Sequence, residues 1–167
     1  MNPRITNLII AGLGGQGVLK AAGIVADVAF RLGYDVKQSE LHGMSQRGGS
    51  VSSDIRFGPE VFSPMVPTGE ADFLVVAAAD QVEVNRHQLR PGGVLITSEM
   101  IDATKLTNKK SGNVALLGVL SKHLDIAESV WLDAIRAAFP EKLYAANLQA
   151  FALGRNGGRD SCPAGPT

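Results

Sequence analysis

The chain has 167 residues, 45% of them apolar, which is enough for one well-buried core and short for two. Lysine plus arginine and aspartate plus glutamate each total 16, so the formal net charge is zero and no overall field draws the chain to nucleic acid. The longest apolar runs, such as residues 73–79, fall far short of the roughly 18 residues of a membrane span, and no signal-peptide pattern precedes the first strand candidate. The single cysteine, Cys162, permits no internal disulfide and excludes a multi-cysteine cluster site, so a cytoplasmic, reducing location is expected.

Residues 5–11 form a nearly continuous apolar run, which predicts a central strand buried on both faces of a parallel sheet. A glycine-rich turn follows at 12–17, and Val18, Ala21, Ala22, Val25, Ala29 and Leu32 then recur at helical spacing until Gly33 stops the helix. Residues 34–38 read as a short second strand. Gly43, Gly48 and Gly49 make the next segment a long loop, and 50–57 aligns Val51, Ile55 and Phe57 as an antiparallel strand with one face exposed. Pro59, Pro64 and Pro67 punctuate an irregular crossing to a second strongly apolar strand at 73–78.

A helix over 82–89 is ended by Pro91, Gly92 and Gly93, a buried strand follows at 94–97, and the polar stretch 102–112 reads as surface loop. The last third predicts helices at 113–123, 128–139 and 142–153, with Pro140 between the latter two. The expected fold is α/β: a single Rossmann-like domain over 1–154, with a mostly parallel central sheet flanked by helices, a long binding loop after the second strand, and a flexible tail over 155–167.

Two segments carry chemistry. Gly12-Leu13-Gly14-Gly15-Gln16-Gly17 has the GxGxxG spacing between strand and helix, where missing side chains let a phosphate approach the helix N-terminal amides. The same glycines also serve a tight strand-to-helix turn with no ligand. A dinucleotide site further needs an acid closing the second strand, and Asp35 comes early while Glu40 comes late.

The second segment runs from Gln38 to Gly49 and gathers Glu40, His42, Gln46, Arg47, Gly48 and Gly49 at the carboxyl end of a strand. An arginine fork, a titratable histidine and permissive glycines there read as a binding loop sharing a crevice with the glycine turn. The plainer alternative pairs Glu40 with Arg47 on the surface and leaves His42 solvated. His87 and His123 fall on amphipathic helical patterns and are read as surface residues without a role. No HxxxH, CxxC or GxSxG arrangement is present, which disfavours metal and covalent nucleophile chemistry.

AGLGGQGV at 11–18 and SELHGMSQRGGSV at 39–51 together resemble the gamma-type domain of 2-oxoacid:ferredoxin oxidoreductases. The HGMxQRGG form at 42–49 is most similar to the small-subunit branch of indolepyruvate ferredoxin oxidoreductases, and the resemblance continues through 73–96, 112–120 and 147–155. It implies coenzyme A-dependent oxidative decarboxylation of an aryl pyruvate, with ferredoxin as electron acceptor. It also implies a non-autonomous subunit whose large partner holds thiamine diphosphate, Mg and 4Fe-4S clusters, while this chain holds no cofactor of its own. The residues it points to, as a coenzyme A or partner-subunit contact, are Gly12, Gly14, Gly15, Gln16 and Gly17 with Gln46, Arg47, Gly48 and Gly49, then His42 and Glu40. A freestanding NAD(P)- or FAD-binding reductase stands as the alternative.

Overall fold

The computed structural model describes residues 4–43 and 48–157. Five strands, β1 (Thr6–Leu13), β2 (Asp35–His42), β3 (Ser50–Gly58), β4 (Ala71–Val76) and β5 (Leu89–Thr97), form one sheet in the order β2-β3-β1-β4-β5. β1, β4 and β5 are mutually parallel, whereas β3 runs antiparallel to both of its neighbours, β1 and β2. Four strands therefore point the same way and β3 opposes them. The central position of β1 follows from its composition, because Leu8, Ile9, Ile10 and Ala11 are all at most 2% exposed and fill both faces.

The four long helices, α1 (Val18–Arg31), α3 (Gly112–Ser121), α4 (Glu128–Ala138) and α5 (Tyr144–Gly157), share one core with a single face of the sheet. That core joins Leu8, Ile10, Ile55, Phe57, Val75 and Ile96 to Trp131, Ile135 and Phe151. The opposite face has a smaller cluster around Ile9, Leu74, Val76 and Leu95. Its cover is Val66 from the crossing between β3 and β4, with Val82 at the start of the one-turn helix α2 (Val82–Asn85).

Several expectations shift. β2 continues four residues past 38 to His42 and pairs with β3 from Asp35↔Gly58 to His42↔Val51. As an edge strand it does not need the apolar alternation that marks a buried one. β3 lies between β1 and β2, so the two segments read as sharing a crevice do not leave neighbouring strands. Nor is the second face of β3 left open: the amide of Val66 donates to Asp54 Oδ2 at 2.9 Å and Asp54 is buried.

Pro91, Gly92 and Gly93 sit inside β5, where a register shift opposite Ala71–Phe73 absorbs them as a bulge. Helix α3 is not amphipathic, since every residue from Val114 to Ser121 is buried, as befits a helix enclosed on all sides. His123, just past its end, is half-buried with its ring 6.4 Å from that of Phe73, whereas His87 is exposed as expected. The stretch read as surface loop contains 3-10 turns that bury Leu106 and Ser111. Finally, α5 runs to Gly157, beyond the expected boundary, because Arg155 Nη1 donates to the Ser121 hydroxyl at 2.7 Å and carbonyl at 3.2 Å. The remainder of the expected tail lies outside the described residues.

Candidate functional site

The glycine turn is built by its own glutamine. The amide of Leu13 donates to Gln16 Oε1 at 2.7 Å, and the amide of Gln16 donates back to the Leu13 carbonyl at 3.2 Å. Gly12 accommodates this loop-back, since a Cβ there would stand 2.8 Å from Gln16 Oε1 and 3.1 Å from Ala77 Cβ. Gly17 caps α1 in the left-handed region with φ 73°, and no side chain caps the helix, so its first-turn amides face outward. The Gly17 carbonyl accepts from Ala21 N at 3.0 Å and from Asn113 Nδ2 at 3.1 Å, which ties the start of α1 to the start of α3.

The second glycine segment meets this turn through the backbone. The amide of Gly14 donates to the Gly49 carbonyl at 2.9 Å, and a Cβ on Gly14 would come within 3.3 Å of Gly48 N. Gly48 itself has φ 65°. Gln46 and Arg47, expected to face the same crevice, lie outside the described residues. Glu40 and His42 extend from the exposed end of β2 toward the same face, two residues apart, with Nε2 and Oε2 at 3.9 Å.

The acids considered for a ribose are badly sited. Asp35 is at the start of β2, the end of the sheet remote from the glycine turn, where its Oδ2 accepts from Val61 N at 2.8 Å and its Oδ1 from Lys37 Nζ at 2.8 Å. The Lys37 ammonium holds its carboxyl below the ordinary value, aided by the Val61 amide. Glu40 is separated from β1 by the whole width of β3.

Beside the turn lies a cleft of about 310 Å³, at the carboxyl ends of β1, β4 and β5. Gly15 and Gln16 line one side, Ala77 and Ser98 the floor, and Lys109, Lys110 and Asn113 the other side. No acidic residue lines it. Two helix N-termini and two lysines thus converge on one concavity, an arrangement suited to a polyanion. The lysines and Asn113 were not among the residues singled out from sequence. Their signal was Lys109-Lys110-Ser111-Gly112-Asn113 directly before an apolar helical run, with the Asn108 side chain accepting from Lys110 N at 3.0 Å. Among the described residues no three His, Cys, Asp or Glu side chains gather as metal ligands would. With one cysteine in the sequence, the chain's residues do not fit a four-iron cluster.

Over residues 7–157 the sequence matches the family described as pyruvate ferredoxin/flavodoxin oxidoreductase. The chain belongs to this family. It is 35% identical to the indolepyruvate oxidoreductase subunit IorB of Thermococcus kodakarensis, over 89% of this chain and 93% of that one. It is 34% identical to IorB of Pyrococcus horikoshii over the same shares. These relatives are subunits of an oxidoreductase, and this chain is one too. In fold it matches the gamma subunit of a keto/oxoacid ferredoxin oxidoreductase from Geobacter sulfurreducens PCA, with a TM-score of 0.76 and 22% identity over 90% of this chain and 96% of that one. It also matches a 2-oxoglutarate:ferredoxin oxidoreductase from Magnetococcus marinus, solved with 2-oxoglutarate, coenzyme A and succinyl-CoA, with a TM-score of 0.79 and 20% identity. There 98% of this chain covers 34% of the other, so the same fold occurs as one part of a longer polypeptide.

Proposed function

We propose that this chain is the small subunit of a cytoplasmic, coenzyme A-dependent aryl pyruvate:ferredoxin oxidoreductase and that its glycine-turn cleft receives the phosphates of coenzyme A. The observation that supports the site is the bond from Gly14 N to the Gly49 carbonyl, which joins the second glycine segment to the turn whose Gly15 and Gln16 line the Lys109 and Lys110 cleft. The likeness to IorB, over 89% of this chain and 93% of that one, supports the substrate class.

The large partner subunit holds thiamine diphosphate, Mg and the 4Fe-4S clusters and passes electrons to ferredoxin. Bound there, thiamine diphosphate supplies the electron sink for decarboxylation. What this chain's residues do is local: the α1 amides donate hydrogen bonds to phosphate oxygens, and the lysines neutralise charge. Gly14, Gly15 and Gly17, lacking side chains, let the phosphates approach. In this reading Arg47 supplies a guanidinium to a phosphate or to the partner's surface, with Gln46, His42 and Glu40 as further contact residues.

Reconstitution tests the assignment. Viologen reduction with indolepyruvate and coenzyme A requires both chains, and reduction by this chain alone would overturn the division of labour. Arg47→Ala raises the Michaelis constant for coenzyme A with assembly intact if the fork holds phosphate, and weakens assembly if it docks the partner. A change in neither removes the loop from the site.

A further inference from the structure

We propose that the chain carries a second small-molecule site, at the end of the sheet opposite the glycine turn, which takes an aromatic monocarboxylate. A cavity of about 600 Å³ opens there, where β1, β4 and β5 begin and α3 has just ended. This volume is within the usual range for pockets that enclose small molecules.

The cavity has a fixed cationic edge. Asp72 is buried at 7% exposure, and its Oδ1 accepts from Arg4 Nη2 at 2.6 Å and from Arg90 Nε at 2.7 Å. Its Oδ2 accepts from Asn7 N at 2.8 Å. One carboxylate thereby orients two guanidiniums that line the cavity. Arg90 uses only its Nε in this pairing, and its two terminal nitrogens have no hydrogen-bond partner among the described residues. They form the half of the fork that a ligand carboxylate fits with two parallel hydrogen bonds.

The walls are aromatic. Tyr34 and Phe57 meet in a tilted pair with ring centroids 5.6 Å apart, as do Phe73 and His123 at 6.4 Å, and all four line the cavity. Charge selects against a polyanion. Arg4 and Arg90 are balanced by Asp72 and Asp125 in the lining, unlike the cleft with Lys109 and Lys110, which has no acid. A ligand with one carboxylate and a planar apolar body uses both features, whereas a phosphate chain uses the guanidinium and leaves the aromatic walls without a partner. This inference does not depend on the function proposed for the glycine turn.

Calorimetric titration of the full chain with phenylacetate, acetate and phenylacetamide separates the contributions. Phenylacetate binds saturably and about tenfold or more tighter than either control, each of which lacks one half of the recognition. Arg90→Ala weakens phenylacetate by about tenfold, while Arg4 and the Asn7 amide still hold Asp72. Leu124→Trp, which adds bulk to the cavity lining and leaves the ion-pair residues unchanged, abolishes binding even if the Arg90 variant is poorly folded. No saturable binding of phenylacetate, equal binding of acetate, or undiminished binding by the Trp variant overturns the proposal.

Discussion

Gly17→Ala tests whether the starts of α1 and α3 act as one frame for the cleft. The substitution has two separable costs. Alanine at φ 73° costs about 1–2 kcal/mol relative to glycine, because its Cβ crowds the following carbonyl. The new Cβ would also stand 2.5 Å from Asn113 Nδ2, displacing it from the Gly17 carbonyl it now reaches at 3.1 Å, with a further loss of about 1 kcal/mol. The expected total of about 2–3 kcal/mol corresponds to a fall in Tm of about 4–12 °C for a chain of this size. Asn113→Ala alone costs about 1 kcal/mol, since the Gly17 carbonyl keeps its bond from Ala21 N at 3.0 Å. The double variant has no clash left and costs about the same as Gly17→Ala alone, so the cycle shows a coupling of about 1 kcal/mol. Denaturant unfolding of the four proteins measures it. Additivity within about 0.3–0.5 kcal/mol would refute the linkage between the two helix starts.

Gly154→Ala places a Cβ onto the Ala115 carbonyl where α5 crosses α3, and forcing the enclosed helices apart is expected to cost about 3 kcal/mol or more by thermal or chemical unfolding. Asp54 is held above its ordinary value of 3.8 by burial, opposed by the Val66 amide and Arg56. The folded state therefore takes up the proton first, and ionised Asp54 costs stability that is regained as pH falls through its raised folded value toward 3.8. Asp54→Asn consequently gains on the native chain as pH rises from about 4 to 7, and a difference independent of pH refutes this. Lys109→Ala with Lys110→Ala should raise the Michaelis constant for coenzyme A severalfold in the reconstituted enzyme and flatten its salt dependence, with complex formation by gel filtration unchanged. Calorimetry with NAD(H) should detect no micromolar binding to the full chain.

The parts legible from sequence are those in which one residue type has one physical reason to be where it is. The apolar run through Leu8, Ile9 and Ile10 reads as a strand buried on both faces, and it is one. The glycines of the turn marked a backbone that side chains cannot follow, and Gly12 and Gly17 show it directly in the contacts a Cβ would make. What stayed hidden needed tertiary information. β2 was cut short because Ser39, Glu40, Leu41 and His42 form an edge that pairs on one side only and carries no core pattern. Lys109 and Lys110 read as solvated loop because nothing local signals that the start of α3 lies against Gln16 and Gly17, nearly a hundred residues earlier.

The position of β3 decides which chemistry the GxGxxG turn can serve. In a dinucleotide fold the acid that binds ribose closes a strand hydrogen-bonded to the first one, a single spacing of about 4.8 Å away. Here β3 occupies that place, which moves the end of β2 to about twice that distance from β1 and carries Glu40 with it. Because β3 runs the other way, its beginning rather than its end adjoins the turn, and it delivers Gly48 and Gly49 where a ribose acid would stand. An antiparallel insertion thus removes the carboxylate that would recognise a nucleoside sugar and substitutes open backbone. In the proposed site, anion recognition then falls to the α1 amides and to cations from beyond β5, a donor set that suits a phosphate chain and has no feature selecting a second nucleotide.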